Sequence, residues 1–116
     1  MSKQAILITP NNEVGVVDLP DDEQQEYSLF SKLLGGMIQA VPLDQELSGI
    51  TIWVNEEGKL EGLRLNQLAT RVWVASYGYT DVMVGNALIT GGADSQGKTK
   101  GLTESQMTRI RLMVTD

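Results

Sequence analysis

The chain is 116 residues long, 41% hydrophobic and 21% charged, with 12 Gly, 3 Pro and a net charge of −6. That is the composition of one globular domain, residues 1–116. It has no histidine and no cysteine, which removes imidazole proton transfer, thiolate attack and nearly all zinc or soft-metal ligation. Carboxylate, lysine and hydroxyl chemistry remain, and the expectation is no enzyme: no catalytic residue, no metal ligand and no cofactor.

Residues 1–61 carry 11 acidic and 3 basic side chains, and residues 62–116 carry 4 and 6. An acidic chain repels phosphate backbones, so no direct nucleic-acid binding is expected. No apolar run approaches the roughly 20 residues that cross a membrane. The apolar run Ala5–Thr9 is too short for a signal-peptide core, and the expected address is cytoplasmic.

Lys3–Thr9 and Glu13–Asp18 read as two short strands joined at Pro10-Asn11-Asn12, a hairpin. Asp22 is placed to cap a helix, with Gln25 three residues on and Tyr27, Phe30, Leu33 and Leu34 as its apolar stripe. Gly35 stops that helix. Asp21, Asp22 and Glu23 suit the positive end of its dipole, and together with Glu26 they form an acidic face that offers a partner-binding surface.

Met37–Leu43 reads as a strand with Pro42 at an edge or end. Ile50, Ile52 and Val54 alternate with Thr51 and Trp53, a half-buried strand. Asn55–Gly58 reads as a turn, with Lys59–Leu65 returning antiparallel, so that 50–65 is expected to be a hairpin. Asn66 caps a second helix that buries Leu68, Ala69, Val72 and Ala75 or Ser76, and Tyr77-Gly78-Tyr79 ends it.

Asp81–Thr90 is apolar on both alternating faces, as a central strand is. Asn86 lies within it and needs a partner, either a neighbouring backbone or a ligand. Thr103 and Gln106 form a capping box, with Leu102 and Met107 as its staple and Met107, Ile110 and Val114 as the stripe of a last helix. Arg109 and Arg111 face outward on it. The sum is an α+β domain, a mostly antiparallel sheet of about five to six strands with two or three helices.

Gly92–Thr99 (GADSQGKT) fits the phosphate-loop pattern G-x-x-x-x-G-K-[ST]. Such a loop needs a helix starting at its Gly-Lys-Thr, yet Gly101 and the capping box delay the helix start to Thr103. A glycine-rich surface loop is the expectation. A small nucleotide-like ligand would use Arg71, Asn86, Gly91, Gly92 and Lys98. Trp53, Trp73, Tyr77 and Tyr79 could form a stacking platform or sit at core edges. Glu56, Glu57 and Glu61 read as solvated turn residues.

Five segments in this order, Leu34-Gly35-Gly36-x-Ile38-x-Ala40-Val41, Val54-Asn55-Glu56-Glu57-Gly58-Lys59-Leu60-x-Gly62-Leu63, Asn66-x-x-Ala69-Thr70, Asp81-Val82-x-Val84-Gly85-Asn86-Ala87-Leu88 and Leu102-Thr103, resemble a family of uncharacterised domains from phage and actinobacterial genomes. Gln39 departs from it where an acidic residue is expected, and Arg64 where proline is common. The resemblance implies no catalytic residue. It implies a phage setting, in which a small acidic protein binds and blocks a host protein, a role in host takeover or defence evasion. A nucleotide sequesterer and an acidic nucleic-acid mimic are the rival readings. A homodimer is possible, because edge strands need cover and two-fold pairs are the commonest oligomers.

Overall fold

The computed structural model describes residues 3–115 and contains five strands and three α-helices. Strands β1 (Lys3–Ile8) and β2 (Val14–Leu19) form the expected hairpin, closed by Thr9 N–H donating to Glu13 O at 3.0 Å. Helix α1 (Glu23–Leu34) follows. The Asp22 side chain accepts from the amides of Gln24 and Gln25, and Gly35 ends the helix at φ +82°. Strands β3 (Ile38–Pro42) and β4 (Ile50–Asn55) pair antiparallel across a 3-10 turn, Gln45–Leu47. Helix α2 (Gln67–Tyr77), strand β5 (Ala87–Gly91) and helix α3 (Glu104–Met113) complete the chain.

The sheet order is β2-β1-β5-β4-β3, with every neighbouring pair antiparallel. Helices cover both faces. Alternation sends Ile6, Ile8, Ile50, Ile52, Ala87 and Ile89 to one face, where Leu68, Val72 and Ile110 of α2 and α3 meet them. Ala5 and Leu88 point to the other face, under Phe30 and Leu34 of α1. Phe30 is 1% exposed, a burial that contributes about 1.5–3 kcal/mol. Strands buried on both sides account for the unbroken apolar runs in β1 and β5.

Three expectations are corrected. Residues 59–65 form no return strand: this stretch is a turn segment, and its one sheet-like contact is the bridge Leu65–Val84. Both edges of β4 are already taken by β3 and β5, so no hairpin partner can dock there. The expected strand 81–90 is a strand only from Ala87, because Gly85 turns the chain at φ +71°. Asn86 therefore precedes β5. On α1, Tyr27 is 57% exposed and Glu26 is buried in its place, since a single helix packs a narrower stripe than the pattern allowed.

On α2 the buried stripe takes Ser76, not Ala75. The α3 capping box forms as expected, with Thr103 and Gln106 each accepting the other's backbone N–H. Among the described residues no helix is long and apolar enough to cross a membrane.

Asn66 caps α2 and does more. It is fully buried, its Nδ2 donates to Ile8 O and Gly85 O at 2.9 Å each, and its Oδ1 accepts from Ala69 N at 3.0 Å. Its backbone N–H donates to Met83 O at 2.8 Å. One side chain thus joins the end of β1, the start of α2 and the approach to β5. Replacing it with alanine removes a cap and strands two buried carbonyls. The expected cost is about 3 kcal/mol, read as a lower urea midpoint with an unchanged slope. Asn66→Asp should cost at least as much at neutral pH, because a carboxylate then faces two carbonyl oxygens.

Candidate functional site

The α1 face of the sheet is only partly covered. Beyond the helix, β3 and β4 present Ala40, Pro42, Thr51 and Trp53, and the loop 92–100 stands at the far side. Between loop and helix runs a groove in two parts. One, of about 220 Å³, lies among Glu23, Glu26, Tyr27, Trp53, Lys98 and Thr99. The other, of about 270 Å³, continues over Ala40, Pro42, Thr51 and Gly92, and the two share Trp53, Gly97 and Thr99.

Trp53 forms the floor where the parts join. Its ring meets Phe30 edge-on at 4.9 Å between centroids, and its Nε1 donates to Thr90 Oγ1 at 2.9 Å. Thr90 is fully buried, and its hydroxyl donates in turn to Gly91 O at 2.7 Å. The indole is thereby held at both ends, a rigid surface with one side open to the groove.

The loop is a tight hairpin in its own right. Gly91 N–H donates to Lys100 O, Lys100 N–H to Gly92 O, and Ala93 bridges Thr99. At its tip Asp94 Oδ1 accepts from Gln96 N at 2.8 Å and Lys98 N at 2.9 Å. A phosphate loop keeps such amides for its ligand and opens a helix at the lysine. Here a carboxylate of the loop itself occupies them, and α3 begins only at Glu104. The surface-loop reading stands.

Gly91 is a packing glycine. A Cβ there would lie 2.5 Å from Gly101 O, so no side chain fits between β5 and the loop's return. Gly92 lines the groove. Asn86 Nδ2 donates to Leu33 O at 2.9 Å, the backbone partner, and Asn55 Nδ2 reaches Leu34 O at 3.3 Å. The two amides close consecutive free carbonyls at the end of α1. Arg71 lies exposed on α2, with the sheet between it and Lys98.

The structure therefore separates one expected set and joins another. Arg71 and Asn86 are apart from the loop, whereas Lys98 shares a groove with Glu23 and Glu26. Asp21 and Asp22 precede them at the head of α1, Asp21 pairing loosely with Lys3 at 3.8 Å and lying almost wholly in solvent. The four aromatic candidates form no single platform. Trp53 is under α1, while Trp73 packs on Tyr77 at 4.6 Å on the opposite face and Tyr79 is exposed. Sequence reasoning did not see Trp53 as a floor, although its phase opposite to Ile50, Ile52 and Val54 was the available signal. Among the described residues no three acidic side chains cluster closely enough to share a metal ion.

The amides of Lys98 and Gln96 hold the Asp94 carboxyl below its ordinary value of 3.8. A lowered carboxyl keeps its ordering effect at every pH above the ordinary value and loses it only as pH falls through the lowered one. Proton NMR titration should find the Gln96 and Lys98 amides moving together below pH 3.8. In Asp94→Ala those amides should exchange with solvent faster while the β5 amides stay protected.

No curated protein and no solved structure shows a significant match to the chain. Residues 1–115 match the family described as a domain of unknown function, DUF3846. With almost the whole sequence matched, the chain belongs to the DUF3846 family.

Proposed function

We propose that this protein is a non-enzymatic binder of the phage accessory type, which acts in the host cytoplasm by occupying a host protein. Its working surface is the groove beside α1, and the segment it takes is extended and basic. The observation that supports this reading is the meeting of the acidic head of α1, the 92–100 loop and the Trp53 floor in one trough.

Chemistry and charge point the same way. Four carboxylates, Asp21, Asp22, Glu23 and Glu26, stand at the α1 end, and among the described residues Lys98 is the one cation that lines the groove beside them. A basic chain is drawn toward such a rim, and its apolar or guanidinium parts can rest on the indole. The small side chains Ala40 and Thr51 leave room for a backbone to lie close. Phosphate at the loop is disfavoured, because it would have to displace Asp94 from the Gln96 and Lys98 amides.

Trp73→Phe leaves Trp53 as the single tryptophan of the chain. Its fluorescence should respond saturably to an oligo-arginine peptide and not to oligo-glutamate, with binding weakened by salt. Asp21→Lys with Glu23→Lys should weaken the peptide about tenfold, and Ala40→Arg should block it sterically. A host protein retained from lysate by the parent chain should be lost with Ala40→Arg. Equal retention by both, or a Trp53 signal indifferent to peptide charge, overturns the reading.

A further inference from the structure

The opposite face of the sheet carries a second depression. Here β3 and β4 turn Gln39, Val41 and Val54 outward past the end of α2 cover, and the segment leading from α2 to β5 comes back across them. A cleft of about 260 Å³ remains. Val41 and Val54 line it from the sheet, Trp73 from α2, and Met83 and Val84 from the returning segment. A concave apolar site with a few polar groups at its mouth is the usual form of a small-molecule site.

The mouth discriminates by charge. Lys59 and Asp81 lie there and pair with each other, with Asp81 also accepting from Val82 N at 2.8 Å. Their charges cancel. Glu56 and Gln39 also line the mouth, and their side chains have no hydrogen-bond partner among the described residues. The uncompensated charge at the opening is therefore negative, on a chain whose net charge is −6. Anions are repelled, and a cation meets a carboxylate, an amide oxygen and an indole.

The indole is fixed in place. Trp73 packs against Tyr77 at 4.6 Å, and its Nε1 donates to Thr80 Oγ1 at 3.0 Å. Tyr77 in turn bonds Pro42 O at the sheet edge. A rigid aromatic wall facing branched aliphatic side chains suits a flat ring. We propose that this cleft binds a small aromatic amine, its ring against Trp73, Val41 and Val54 and its ammonium between Glu56 and Gln39.

This site is separate from the groove beside α1 and lies on the other side of the sheet. Three probes share one ring and differ in charge: 2-phenylethylammonium, 2-phenylethanol and phenylacetate. Methyl NMR of the full chain should show saturable shifts at Val41, Val54 and Val84 with the ammonium, weaker ones with the alcohol and the weakest with the carboxylate. Glu56→Gln should weaken the ammonium about threefold and Gln39→Glu should strengthen it by a similar factor. Both positions are exposed, so the folded chain is expected to survive either change. Equal affinity for all three probes, tighter binding of phenylacetate, or shifts centred on Leu88 and Ile38 instead would overturn the proposal.

Discussion

The amide of Asn66 is the joint on which the domain depends. Its three side-chain hydrogen bonds go to Ile8, Gly85 and Ala69, which belong to a strand, a turn and a helix that are far apart in the chain. In the low dielectric of the core each of those bonds is strong, and each would be costly to leave unmade. Around it Thr70 adds a second tie, donating to Asn66 O at 2.8 Å and accepting from Met83 N at 2.9 Å. The segment between α2 and β5 is thereby held against the sheet without forming a strand.

The same device recurs at the end of α1. Asn55 and Asn86 reach the carbonyls of Leu34 and Leu33 from two different elements, and Asn55 also holds the following turn through Glu57 N and Glu61 Oε1, both at 2.8 Å. Amides suit this work because each carries donors and an acceptor and keeps them at every pH. In a chain without histidine or cysteine, uncharged amides supply the polar joints of the core. Among the described residues Glu26 is the one charged side chain that is buried, and the other charged groups lie toward the surface.

Those depressions follow from one feature of the topology. Helices cover the middle of the sheet on both faces, while β3, an edge strand, extends past them. Its residues alternate, so Ala40 and Pro42 open onto the groove beside α1 and Gln39 and Val41 onto the cleft beyond α2. Pro42 blunts the free edge, and Tyr77 occupies the proline's carbonyl. Such an edge is a poor template for another strand, which leaves its two faces as the usable surfaces.

Much of this was legible in the sequence. Local rules that act within a few residues gave the caps at Asp22, Asn66 and Thr103, the stop at Gly35 and the alternation of β4, because capping and pleating depend on neighbours in the chain. The rules failed where the outcome depended on distant segments. Lys59–Leu65 has the composition of a returning strand, but both edges of β4 were claimed by β3 and β5. Residues 81–86 have a strand's pattern, but Gly85 and the pull of Asn66 turn them aside. The identities of the site residues were in plain view, whereas their company was not: Lys98 meets Glu23 and Glu26 across about 70 intervening positions only because the head of α1 and the 92–100 loop border the same groove. Composition alone withheld imidazole and thiol chemistry and set the negative charge. Tertiary packing alone decided which acidic residues face a groove, which amides are spent on the core, and which aromatic rings remain exposed.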